Sequence, residues 1–134
     1  MTIPTGNSRA DIKAREQIIS GVYRQWLEKH PSKRAYNHSL KAYINVRYLS
    51  VNETMEKAAK TYLSTLAVLQ LDTILSQARK YGPLRPPKPN SNQKPFAKMI
   101  IMRLPLEGIG TVKMTVGLKK NGEHVQYCIT AIQA

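Results

Sequence analysis

The dipeptide Asn121-Gly122, set between two runs that alternate apolar and polar residues, constrains this chain more than any other feature. Asn-Gly suits the positive φ angles of a tight type I′ turn, so a hairpin is expected here. Its arms are Thr111 to Leu118 and His124 to Ile132. A two-residue turn sets Leu118 against Val125, Val116 against Tyr127, Met114 against Ile129 and Val112 against Ala131, all apolar. The other face pairs Lys113 with Thr130, Thr115 with Cys128, Gly117 with Gln126 and Lys119 with His124. A slip of one residue would mix the faces, so the pattern specifies its own register. One face is made to bury. The polar face serves either as a solvated sheet surface or as a place for polar contacts.

Upstream, Met1 to Asn7 reads as a loose lead-in, and Ser8 to Asp11 as a capping box. Ile12, Ile19, Val22, Tyr23 and Trp26 follow at helical spacing, with Trp26 on the apolar stripe as a core anchor. His30-Pro31 ends that helix. Ile44, Val46 and Tyr48 alternate with polar residues and suggest a short strand or extended segment. Ser50 to Glu53 forms a second capping box, opening one long helix to Lys80 that is apolar around most of its centre. Pro83, Pro86, Pro87, Pro89 and Pro95 exclude helix and central strand from the segment that follows. Phe96 to Leu104 reads as a central strand. The expected fold is α+β: N-terminal helices packed on one face of a small antiparallel sheet of three to four strands. One RNase-sized domain spans 1–134, with helices at 1–30 and 50–80, a proline-rich basic loop at 81–95 and the sheet at 96–132.

The charge is the second constraint. Lys and Arg number 21 against 8 Asp and Glu, a net charge of +13 that calls for a polyanionic partner, nucleic acid before membrane. No stretch approaches the roughly 18 apolar residues of a membrane span, and no signal-peptide layout opens the chain. Cys128 is the lone cysteine, which excludes an internal disulfide and suits a reducing, cytoplasmic address. His30 and His38 lie in a cationic connector without acids, a poor metal site. The sparse acids assemble neither a two-metal cluster nor a glycosidase pair, and no nucleotide-cofactor fingerprint is present. No cofactor and no metal are expected.

What remains is chemistry by Lys, Arg, His, Tyr and hydroxyls. RNA supports it, because its own 2′-OH is the nucleophile and the protein need supply only proton transfer and cations. The polar hairpin face offers Lys113, Thr115, Gln126, Thr130 and His124, with Arg103 on the neighbouring strand. Lys57, Thr61, Ser64 and Thr65 form a stripe on the long helix, with Lys60 beside it; they are either a solvated face with back-bonded hydroxyls or donors aimed at phosphate. Arg79, Lys80, Arg85, Lys88 and Arg103 lie in an acid-free tract suited to a phosphate backbone or to an acidic protein.

The order of a capped helix carrying Lys57-Ala58-Ala59-Lys60-Thr61-Tyr62-Leu63-Ser64-Thr65-Leu66, a loop, then Gly110 to Gly117 and Val125 to Thr130 resembles the barnase/EndoU/colicin/RelE-like nuclease superfamily. The resemblance covers residues 45–132 and is closest to phage-barnase branches of mobile-element proteins. It implies metal-independent RNA cleavage on the sheet face opposite the helices. Carried over, it implies Lys60 (or Lys57) with Thr61 on the helix, Lys113 as the sheet cation, and Thr130 with Gln126 on the last strand. The histidine that many branches carry on the helix is absent. The implied activity is that of an endoribonuclease toxin or effector, cytoplasmic or delivered to a target cell. It would act on tRNA, rRNA or mRNA and be neutralised by an acidic immunity protein or antitoxin. Two alternatives stand beside it: a non-catalytic nucleic-acid-binding module, and an interaction protein whose basic loop docks on an acidic partner.

Overall fold

In the computed structural model, which describes residues 2–89 and 91–132, the first element is helix α1 (Arg9–Lys29). Met1, Asn90, Gln133 and Ala134, assigned from sequence to the lead-in, the proline-rich loop and the end of the domain, lie outside the described residues. Ser8 caps α1, its Oγ accepting from the Asp11 N–H at 3.0 Å. The lead-in is pinned rather than loose. Arg15 is fully buried and donates to the carbonyls of Pro4 (2.9 Å), Gly6 (2.6 Å) and Ala59 (2.8 Å).

A hairpin of β1 (Arg34–Asn37) and β2 (Ala42–Asn45) follows, where only a short extended segment was expected. The long helix expected over 50–80 is three helices: α2 (Tyr48–Ala58), α3 (Tyr62–Val68) and α4 (Leu71–Gln77). The break needs no glycine or proline, because side chains satisfy the interrupted backbone. Thr61 caps α3 by accepting from the Ser64 N–H at 3.2 Å. Thr65 Oγ1 donates back to the carbonyls of Ala58 and Thr61, and Arg15 serves Ala59. Ser50 sits inside α2, accepting from the Arg47 N–H rather than marking the cap.

The sheet has six strands, not three to four. Strand β3 is Arg79–Lys80, β4 Lys98–Leu106, β5 Gly110–Leu118 and β6 His124–Ile132. Their order is β1-β2-β6-β5-β4-β3, antiparallel except for a short parallel pairing of β2 with β6. The α+β class stands, and the helices cover one face. Ile19, Tyr23, Ala67, Leu71, Ile74 and Leu75 pack against Ile100, Met102, Val112, Met114, Val116 and Ile129.

Beyond Val125, β6 has no strand on its β2 side, and helix side chains take that role. Ser50 Oγ donates to the Gln126 carbonyl. Thr54 Oγ1 accepts from the Ile129 N–H at 3.3 Å and Ser64 Oγ from the Ala131 N–H at 2.8 Å. Of the polar stripe, Ser64 and Thr65 are therefore committed to backbone, as the back-bonded alternative requires.

The hairpin departs from its expected register in one half. The turn is longer than two residues: the Lys119 N–H donates to Glu123 O at 2.9 Å, and Gly122 takes φ +91° while Asn121 does not turn left-handed. This shifts pairing near the tip by one, to Leu118–His124, Gly117–Val125 and Val116–Gln126. A β-bulge at Tyr127 absorbs the shift. Below it Thr115–Cys128, Met114–Ile129, Lys113–Thr130 and Val112–Ala131 pair as expected. Gln126 is thereby turned to the helix side and Tyr127 to the open side, the reverse of the sequence expectation.

Candidate functional site

The open face of the sheet is organised in cross-strand rows. Arg79 pairs with Arg103, Arg103 with Lys113 and Lys113 with Thr130, placing three cations and a hydroxyl side by side across four strands. Neighbouring strands lie about 4.8 Å apart, so these charges repel one another until an anion neutralises them. The next row holds Ile101, Thr115 and Cys128, with Tyr127 added by the bulge. Beyond it, Phe96 lies flat on Gly117, where a Cβ would run into the ring.

The proline-rich loop closes over these rows and leaves a cleft of about 220 Å³. Lys57, Arg85, Lys88, Gln93, Lys113, Thr115, Tyr127, Cys128 and Thr130 line it. That volume is below the roughly 300–1,000 Å³ of small-molecule pockets, which suits one unit of a polymer better than a whole metabolite. Among the described residues Lys113, Arg85 and Lys88 take part in no ion pair. Arg103 extends the cationic surface, its guanidinium 3.6 Å from the centre of the Tyr81 ring.

Glu53 stands behind the cleft wall. It is 4% exposed, and its carboxylate accepts from Lys57 Nζ at 3.1 Å and from Asn92 Nδ2 at 3.1 Å. The Tyr127 hydroxyl faces the same carboxylate and the Gln93 side chain. Lys57 Nζ lies 5.3 Å from the centre of the Tyr127 ring. Burial pushes the Glu53 carboxyl up, but hydrogen bonds from Tyr127, Lys57 and Asn92, with the charge of Lys57, together hold it below the usual carboxylate range. Burial and then the adjoining Glu53 raise the Tyr127 phenol well above its ordinary value, so it stays protonated. Burial pushes the Cys128 thiol up to about 11, which keeps it from acting as a thiolate at neutral pH.

The predicted residues divide as follows. Lys57, Lys113, Thr130, Arg85 and Lys88 meet at the cleft. Arg79 and Arg103 share the row of Lys113. Lys60 and Thr61 do not line the cleft: Lys60 is exposed in the turn after α2, and Thr61 is the cap of α3. Gln126 is fully buried on the helix side, with Oε1 2.6 Å from the Tyr23 hydroxyl and Nε2 3.1 Å from Thr54 Oγ1. Lys80 pairs with Met102 and so faces the helix side, away from Lys113. His124 lies half-buried beside Leu118, and burial, then Lys80, lowers its pKa so that the ring is neutral at pH 7. Sequence reasoning missed Glu53 as a site residue and set Tyr127 aside on the buried face. The Glu53–Lys57 spacing on one helix face was a visible signal. The bulge that exposes Tyr127 had none.

Among the described residues no three His, Cys, Asp or Glu come together to hold a metal ion. No described helix is long and apolar enough to cross a membrane. Compared with known family models, curated proteins and solved structures, the chain matches none.

Proposed function

We propose that this chain is a metal-independent endoribonuclease that cleaves RNA by attack of a 2′-OH on the adjacent phosphate. The observation that carries the reading is the meeting, in one cleft, of Lys57, Lys113 and Thr130 with a tyrosine backed by a buried carboxylate. Lys113 and Arg85 neutralise the charge that builds on the phosphorane, and Thr130 donates to a phosphate oxygen. The 2′-OH gives its proton to the Tyr127 oxygen as Tyr127 passes its own to Glu53, so no phenolate forms beside the carboxylate. The leaving 5′ oxygen takes a proton from Lys57, and Lys57 recovers one from the Glu53 carboxyl 3.1 Å away. The net change is one proton moved from the 2′-OH to the 5′ oxygen. The products are a 2′,3′-cyclic phosphate and a 5′-OH. Of the two helix alternatives Lys57, not Lys60, carries the role, and Tyr127 takes the place of Thr61 and Gln126.

The row Arg79–Arg103–Lys113 holds the backbone of tRNA, rRNA or mRNA. It also suits an acidic immunity protein or antitoxin that would block the cleft, as an effector of this kind needs. The same row supports a second reading, a module that binds nucleic acid without cutting it.

Incubating the purified chain with total RNA in EDTA, and mapping new ends, separates the two. Discrete fragments ending in 2′,3′-cyclic phosphates support cleavage. Intact RNA, with a mobility shift that fades as salt rises, supports binding alone.

A further inference from the structure

The open face does not stop at β6. Asn45 pairs with Val125 and Tyr36 with Tyr43, so Arg34, Tyr36, Tyr43 and Asn45 all stand on the face that holds the cleft. Tyr36 and Tyr43 are 42% and 47% exposed and meet edge to face at 5.4 Å. The Arg34 guanidinium sits 4.1 Å from the centre of the Tyr43 ring, and His38 meets the edge of Tyr36 at 5.5 Å. Between Lys29 and Asn52 there is no acid. The acid that borders β2, Glu123, is already paired with Arg47 and Lys119, and two exposed rings with adjoining cations are what a nucleic-acid strand stacks on.

The backbone of this hairpin points the same way. Lys33 (φ 59°) and Lys41 (φ 53°) are the only non-glycine residues with positive φ among the described residues. Both are exposed, and they flank the paired tyrosines, one before β1 and one in the β1–β2 turn. Glycine or asparagine would relieve that strain. Lysine at both positions costs stability and puts a cation at each end of the strand pair that carries the rings.

We infer that the β1–β2 hairpin is a second subsite, where Tyr36 and Tyr43 stack bases of a single-stranded RNA segment whose phosphates are met by Arg34, Lys33 and Lys41. The inference rests on the RNA reading for its ligand, but not on cleavage. It makes single-stranded RNA, rather than duplex, the substrate class.

The test uses the whole chain and an uncleavable probe, a fluorescent 2′-O-methyl oligoribonucleotide of about eight nucleotides, single-stranded or annealed to its complement. Tyr43→Ala is expected to weaken single-strand binding by roughly tenfold or more and to leave duplex binding unchanged, while Tyr43→Phe binds as the unaltered chain does. Lys41→Gly is expected to raise the thermal midpoint and yet weaken binding and flatten its salt dependence. That opposition of signs cannot come from misfolding, so the test survives if Tyr43→Ala fails to fold. Unchanged single-strand affinity in Tyr36→Ala/Tyr43→Ala and in Lys41→Gly overturns the subsite while leaving the cleft reading intact. Equal losses for strand and duplex overturn it also, as does a polyglutamate peptide that competes only when Tyr43 is present, which would mark a protein-docking face. An unaltered chain that binds neither probe overturns the RNA reading itself.

Discussion

Two polar networks lie back to back on β6, one residue apart. On the helix side Gln126, Tyr23 and Thr54 close on one another: the Tyr23 hydroxyl is 2.6 Å from Gln126 Oε1 and 3.1 Å from Thr54 Oγ1, and Thr54 also receives Gln126 Nε2 at 3.1 Å. On the open side Tyr127, Glu53 and Lys57 form the other. Both are anchored by adjacent residues of α2, Glu53 and Thr54. The first is neutral, fully buried and internally satisfied, which makes it a device for fixing the fold. The second is charged, stands at a cleft, and has free cations beside it. What separates structure from chemistry here is whether a network closes on itself, not which residue types compose it.

Substitutions on the two sides should sort cleanly. The largest effect is expected from Tyr127→Phe, which keeps the ring and removes the proton path: RNA cleavage per folded molecule should fall by roughly 10²–10⁴-fold, with a loss of about 1 kcal/mol in stability because Glu53 keeps Lys57 and Asn92. Cleavage at the unaltered rate would remove Tyr127 and Glu53 from the mechanism. Lys113→Ala should cost roughly 10²–10³-fold in rate, measured on the same fragments, and a loss confined to affinity would make Lys113 a binding residue only.

Across the strand the signs reverse. Gln126→Leu removes the 2.6 Å acceptor of the Tyr23 hydroxyl and the amide that donates to Thr54, leaving the two joined only to each other and to the Ile129 N–H, and should lower unfolding free energy by about 1–3 kcal/mol in denaturant titrations. Cleavage per folded molecule should hold. If that variant were stable but inactive, the contrast between the two networks would be wrong. Gly122→Ala, at φ +91°, should cost about 1 kcal/mol and leave both networks alone, a control for stability loss by itself.

The smallest effect is a pH dependence that is confined to acid. Glu53 titrates lower in the folded chain than in the unfolded one, so the unfolded chain binds more protons between the two values. The stability it contributes is full above the ordinary carboxyl value of about 4.3 and is lost as pH falls through the lowered one. Unfolding curves of Glu53→Gln should therefore approach those of the unaltered chain as pH drops. Curves that stay parallel would show that the carboxylate is not held by Lys57, Asn92 and Tyr127.

The sequence carried the parts that depend on short-range pattern. Helix α1 with its Ser8 cap, the proline-rich loop, and the pairing of Lys113 with Thr130 were all legible, because apolar period, proline and alternation act locally. The tip of the hairpin was not. Asn-Gly serves a two-residue turn and a longer one with a left-handed glycine equally well, and the difference exchanged Gln126 with Tyr127. The three-helix split was hidden for a related reason. Thr61 and Thr65 look alike on a helical wheel whether they face solvent or close a backbone break. Strands β1 and β3 are too short to leave a periodic trace, so the sheet was read as too small. Glu53 was legible only as a helix-start signal, since its burial depends on β6, far along the chain.

The hydroxyls of Ser50, Thr54 and Ser64 stand in for a strand at the edge of β6, and this has a consequence for biosynthesis. As the chain leaves the ribosome, α2 and α3 emerge well before β6, carrying Glu53, Lys57 and a row of hydrogen-bonding groups with nothing yet to bind. Tyr127, Cys128 and Thr130 arrive together, in β6. Its insertion between β5 and the helices completes the sheet and the cleft in one event, so a nascent chain interrupted before Tyr127 lacks the cleft and the activity proposed for it.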